Sequence, residues 1–215
     1  MQNRSQIKAV VFDWDGVIVD SMPMIVRGIR DTAKSYGVHV SVDDVLATYV
    51  QPRHVFYENL GIKIENMEEL KARHATNISK HFSEPKLFDD VLPVLAQLKA
   101  DEIKFGIASG AEKQRIRDEM GTFGLQTFVA SENILGGNTS KSEKLIHLIA
   151  QFGVAPAELL FVGDLPSDIQ AAKKAGVKSA GISRDEAGRA RLKAENPDYL
   201  LNSLSDLLKI IESNK

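Results

Sequence analysis

The chain of 215 residues contains no cysteine. Disulfides, thiolate metal sites and a cysteine nucleophile are therefore excluded. It has little net charge, since 27 Lys and Arg against 29 Asp and Glu leave −2. That argues against a nucleic-acid protein held by a strong basic field, and against a solvating acidic tail. It has no apolar run near the roughly 18–20 residues that span a membrane. Its N-terminal apolar stretch is cut short by Asp13 and Asp15, so no secretory signal is expected and a cytoplasmic location is. What remains is an ordinary globular composition, 43% hydrophobic and 26% charged, long enough for one domain with a smaller insert.

Short runs rich in β-branched residues predict buried strands at Ile7–Phe12, Ile103–Ala108, Leu159–Val162 and Val177–Ile182, with weaker candidates at Thr127–Ala130 and Tyr199–Leu201. Helical spacing joins Val91, Val94, Leu95 and Leu98, and again Leu145, Leu148, Ile149 and Phe152. A further helix over Ile169 and Ala172 closes at Gly176. Strands alternating with helices from residue 86 onward predict an α/β fold, a Rossmann-like parallel sheet. Ligands in such sheets sit beyond the carboxyl ends of the strands. Residues 20–85 break the alternation. They show helix starts at Ser41–Asp44, Pro52 and Asn66–Glu69 but no convincing strand, which predicts a helical insert. The expected division is a core of 1–19 and 86–215 and a helical segment of 20–85.

Chemistry-bearing residues collect at the predicted strand ends. Asp13 and Asp15 stand two apart in extended chain, so both carboxylates can face one pocket. Paired anions repel unless a cation joins them or one is protonated. Mg²⁺ suits such oxygen ligands. Alternatively the pair ends a strand in an Asx turn at Gly16. Gly163-Asp164 follows another strand and opens a helix through Asp168, where Asp164 as N-cap and Asp168 as first-turn acid are the plainer roles. Ser109 and Lys141 are, singly, a turn residue and a surface lysine.

In chain order these motifs resemble the haloacid dehalogenase superfamily of phosphohydrolases. The first is Phe12-Asp13-Trp14-Asp15-Gly16-Val17-Ile18-Val19-Asp20-Ser21. The second is Ile107-Ala108-Ser109-Gly110, the third Lys141, and the fourth Phe161-Val162-Gly163-Asp164 through Asp168 to Gly176. The resemblance covers nearly the whole chain and identifies the insert with the family's small helical cap. It implies that Asp13 attacks phosphorus and that Asp15 acts as general acid and base. Mg²⁺ would bind the Asp13 and Asp164 carboxylates and the Asp15 carbonyl. Ser109, Gly110 and Lys141 would hold the phosphoryl oxygens, and Asp168 would orient Lys141 or a metal-bound water. An acid at Asp15 favours phosphate esters, whose alkoxide leaving group needs a proton. Ile25 stands where related phosphomutases carry a histidine, so hydrolysis is expected over mutase action. The expected partner is a small phosphate ester, phosphoglycolate being the most similar named substrate.

Rival classes fit less well. A phosphoaccepting receiver would need no insert, and a non-catalytic phosphate-binding module would be expected to lack one of Asp13, Asp15, Lys141 or Asp164. Selectivity is assigned to residues 20–85. There Tyr49–His54 replaces a glycine-containing loop common among relatives, and Arg53 is the candidate contact for a second anionic group of the substrate. His74 and His81, seven apart, are expected to be boundary histidines rather than a zinc pair.

Overall fold

The computed structural model describes residues 6–48, 53–81 and 85–213. The chain forms two compact units, one running up to Val19 and resuming at Leu87, the other Asp20–Lys86.

The first unit opens with β1 (Ala9–Phe12), four fully buried residues. Residues beyond its end turn back at once: the Ile18 and Val19 amides both donate to the Trp14 carbonyl, at 3.0 Å. The second unit then follows with α1 (Met22–Ser35), α2 (Val42–Thr48), α3 (Arg53–Asn59) and α4 (Met67–Ser79). The expected starts are seen at two of them. Ser41 and Asp44 form a reciprocal cap: the Ser41 amide donates to Asp44 Oδ2 at 2.8 Å, and the Asp44 amide to Ser41 Oγ at 3.0 Å. Asn66 caps α4 by accepting from the amides of Glu68 and Glu69. Val26, Ile29, Val45, Phe56, Tyr57 and Leu70 fill the core of this unit. Pro52, with Tyr49, Val50, Gln51 and Glu84, lies outside the described residues.

The first unit resumes with α5 (Val91–Ala100), β2 (Lys104–Ala108), α6 (Lys113–Phe123), β3 (Ile134–Leu135), α7 (Lys141–Phe152) and β4 (Leu159–Gly163). It ends with α8 (Pro166–Ala175), β5 (Lys178–Ile182), α9 (Glu186–Ala194), β6 (Tyr199–Leu201) and α10 (Asp206–Glu212). All strand pairs are parallel, in the order β3-β2-β1-β4-β5-β6. Strands buried on both faces need continuous apolar runs, which the sequence supplies. On one face Ala9 and Val11 of β1 and Leu159 and Phe161 of β4 pack with Leu145, Leu148 and Phe152 of α7 and Ala172 of α8.

Two expectations need correction. Thr127–Ala130 is no strand: Leu125–Thr127 form a 3₁₀ turn in which the Phe128 amide donates to the Leu125 carbonyl at 2.9 Å. The sheet edge is β3 instead, only two residues long and with no period to read. The cap position before α8 belongs to Leu165, so Asp164 is not the N-cap.

Candidate active site

β1 pairs with β2 and β4 so that Phe12 lies level with Ile107 and Val162. The residues just past those positions, Asp13, Ser109 and Asp164, emerge together at the carboxyl edge of the sheet. Asp13 is fixed by two donors: the Trp14 amide gives Oδ1 a hydrogen bond of 2.7 Å, and Lys141 Nζ gives Oδ2 one of 2.5 Å. Lys141 is the first residue of α7. Ser140 caps that helix by accepting from the Glu143 amide at 3.3 Å, which places the lysine at the mouth of the sheet.

Lys141 also donates to Asp168 Oδ1, while Asp168 Oδ2 accepts the Leu165 amide at 3.1 Å. Both oxygens of Asp168 are thus engaged, which suits a residue that orients the lysine. Burial pushes the Lys141 ammonium toward deprotonation, but the carboxylates of Asp13 and Asp168 more than offset it, and its pKa is raised. Asp168 is completely buried. Burial raises its carboxyl pKa even though Lys141 pulls it down.

Oxygens of Asp13, Asp164 and Asp168 lie within 4.8 Å of one another. Burial lifts the Asp164 carboxyl well above its usual range, and the neighbouring Asp168 and Asp13 add to the rise. A cation among these oxygens would relieve that crowding. Two glycines make the crowding possible. Gly16 has φ +76°, and a Cβ there would fall 2.1 Å from Asp164 Oδ2. A Cβ on Gly163 would fall 2.3 Å from the Asp168 Cβ. The residues therefore fit a divalent cation held by the carboxylates of Asp13 and Asp164. The side chain of Asp15 is not in this trio.

Ser109 is buried, and its hydroxyl accepts the Ala111 amide at 3.2 Å; Gly110 beside it is exposed. Lys144, not anticipated, braces this loop. Its buried ammonium donates to the carbonyls of Ser109 and Gly137 at 2.5 and 2.6 Å, and burial lowers its pKa. The i, i+3 repeat of Lys141 and Lys144 was the available signal. Arg115 was also missed. It donates to Asp15 Oδ2, stands 3.7 Å from Glu119 Oε1, and shares an i, i+4 face of α6 with that residue. In the helical unit, Arg53 is exposed in the first turn of α3, and its charge bears on Tyr57 and His74. His74 Nδ1 lies 2.7 Å from the Tyr57 hydroxyl, and His81 Nε2 lies 2.7 Å from Asp31 Oδ2. The two histidines thus have separate partners.

Residues 10–182 match the family model described as haloacid dehalogenase-like hydrolase. The chain belongs to that family. Among haloacid dehalogenase-like relatives, a phosphoglycolate phosphatase of Synechococcus elongatus is 28% identical over 95% of this chain and 97% of its own. A pyrophosphatase PpaX of Bacillus velezensis is 27% identical over 95% of this chain and 96% of its own. In fold, the haloacid dehalogenase-like hydrolase SP0104 of Streptococcus pneumoniae superposes with a TM-score of 0.82 at 20% identity, covering 98% of this chain and 99% of its own. The second, helical unit interrupts the family's sheet between β1 and α5. Among the described residues no helix is long and apolar enough to cross a membrane.

Proposed function

We propose that the protein is a Mg²⁺-dependent phosphatase of small phosphate monoesters, working through an aspartyl-phosphate on Asp13. The observation that carries this reading is the trio of carboxylates within 4.8 Å, two of them bridged by Lys141. The names of the relatives add two candidate substrates, phosphoglycolate and pyrophosphate.

Asp13 is the nucleophile: one carboxylate oxygen attacks phosphorus as the ester oxygen departs. The hydrogen bonds from Trp14 and Lys141 hold that carboxylate in one orientation, so little freedom is lost on the way to the transition state. Asp15 gives the departing oxygen its proton, then takes one from the water that cleaves the acyl phosphate. Lys141, Ser109 and the Gly110 amide receive the phosphoryl oxygens, where fixed donors act on developing charge. Asp168 keeps Lys141 aimed. Asp13 and Asp164 would hold Mg²⁺, whose positive charge would offset the repulsion between an anionic nucleophile and an anionic substrate.

The test is hydrolysis of p-nitrophenyl phosphate, phosphoglycolate and pyrophosphate with Mg²⁺ and with EDTA, for the wild type and Asp13→Asn. Expected are turnover with Mg²⁺, its loss with EDTA, and an inert but folded Asp13→Asn. Wild-type-like turnover by that variant would refute the mechanism.

A further inference from the structure

Asp15 is met by Arg115, a side chain that the four sequence motifs do not include. Arg115 Nη2 donates to Asp15 Oδ2, and Arg115 Nη1 lies 3.7 Å from Glu119 Oε1. The other oxygen of Glu119 accepts the indole N–H of Trp14 at 2.5 Å. Trp14 sits in the chain between the nucleophile and Asp15, and is 1% exposed. One turn of α6 therefore reaches Asp15 through the guanidinium and Asp15's own chain neighbour through the carboxylate.

We propose that Arg115, anchored by Glu119 and Trp14, is a positioning residue that sets the direction in which Asp15 hands over its proton. The proposal rests on the reading of Asp15 as acid and base. Three features argue for it over a surface ion pair. Glu119 is buried, its side chain 7% exposed, and burial pushes its carboxyl above the usual range despite the Trp14 and Arg115 partners. Burying a carboxylate is costly, and an exposed i, i+4 pair would staple the helix without that cost. The guanidinium is a planar fork. With one nitrogen on Asp15 and the other facing Glu119, rotation of that plane is restricted. Finally, a donor fixed on Oδ2 keeps that oxygen an acceptor, so the proton passed to the leaving oxygen travels on Oδ1. The balance is simple. The ester P–O bond breaks toward the alcohol, Asp15 gives that oxygen its proton, and Asp15 is left a carboxylate paired with Arg115.

Positioning of an acid matters in proportion to how much the leaving group needs its proton. The experiment is single-turnover phosphoryl transfer to Asp13, followed by rapid quench, with ethyl phosphate and with p-nitrophenyl phosphate. Arg115→Ala, Arg115→Lys and Glu119→Gln are compared with wild type and Asp15→Asn. A misplacement near 1 Å costs roughly 10²-fold. Arg115→Ala should therefore lose about 10²-fold on ethyl phosphate and only a few-fold on the aryl ester. Arg115→Lys, which keeps the charge but not the fork, and Glu119→Gln should shift the ratio the same way by smaller factors. Emission from Trp14, the single tryptophan of the chain, should change in Glu119→Gln while the fold is retained. If Arg115→Ala does not fold, Arg115→Lys carries the test. Equal losses on the two esters would make the pair a structural staple and overturn the proposal. If Asp15→Asn also failed to discriminate between the esters, the acid role of Asp15 would fall. If the wild type formed no phosphoenzyme from either ester, the phosphatase reading itself would fall.

Discussion

Substitution Gly16→Ala separates backbone strain from damage to the proposed metal site. Gly16 has φ +76°, and an added Cβ would lie 2.1 Å from Asp164 Oδ2 and 2.6 Å from its Cγ. A left-handed conformation costs an L-residue about 1–2 kcal/mol. Comfortable non-bonded separations are about 3.5–4.0 Å between carbons, so the Asp164 carboxylate must retreat by more than about 1 Å. Gly153 is the matched control. It closes α7 at φ +63°, and its Cβ would meet nothing within 4 Å. Gly153→Ala should lose about 1–2 kcal/mol in urea unfolding, and Gly16→Ala at least as much. Only Gly16→Ala should lose about 10²-fold in kcat/KM, the scale of a 1 Å misplacement, which is about 2.7 kcal/mol of transition-state stabilisation. Its half-maximal Mg²⁺ concentration should rise with it. The assay is phosphatase turnover across a Mg²⁺ titration, beside urea unfolding of each variant. If Gly16→Ala and Gly153→Ala have the same activity and the same Mg²⁺ dependence, the contact of Gly16 with Asp164 does not govern the site.

Burial lowers the His74 pKa from 6.5 to about 3. The unfolded chain therefore takes up a proton below pH 6.5 that the folded chain refuses, so stability falls as pH drops from about 6.5 toward 3. At pH 5 the loss is about 2 kcal/mol relative to pH 7. His74→Gln should flatten that slope, while contributions of opposite sign, such as that of the raised Glu119 carboxyl, remain in both proteins and cancel in the comparison. Identical slopes would refute it. Arg53→Ala should cost phosphoglycolate about 1.5–3 kcal/mol more in kcat/KM than p-nitrophenyl phosphate, the scale of one hydrogen bond to a charged partner. An unchanged ratio would remove Arg53 from substrate contact. Asn66→Ala, which deletes the acceptor for the Glu68 and Glu69 amides, should lower unfolding stability by about 1 kcal/mol and leave turnover of the aryl ester intact.

The central strands were legible because burial on both faces demands runs such as Ala9-Val10-Val11-Phe12 and Leu159-Leu160-Phe161-Val162. β3 was not, since a two-residue edge strand leaves no pattern and Phe128 and Val129 made a more apolar decoy. Asp13, Ser109 and Asp164 could be named because each follows directly on a strand that could be seen. Arg115, Glu119 and Lys144 could not, because their work depends on which helix face turns toward the loops. A charged residue on a helix reads as solvated until the packing is known. Among the described residues Glu119, Lys144 and Asp168 are buried exceptions.

The place of β1 in the sheet sets an order of events during synthesis. Its neighbours, β2 and β4, begin at Lys104 and Leu159. Every residue of the helical unit leaves the ribosome before the first of those partners exists. Ala9–Phe12 must therefore wait as an unpaired apolar segment through almost a hundred residues of elongation, and one of its edges waits for fifty more. The local contacts of α1–α4 can form meanwhile, because short loops close fast. The segment that leads into Asp13 is thus made well before its partner strands and completed only after them. Over that interval its bare edges are a site for mispairing with another nascent chain.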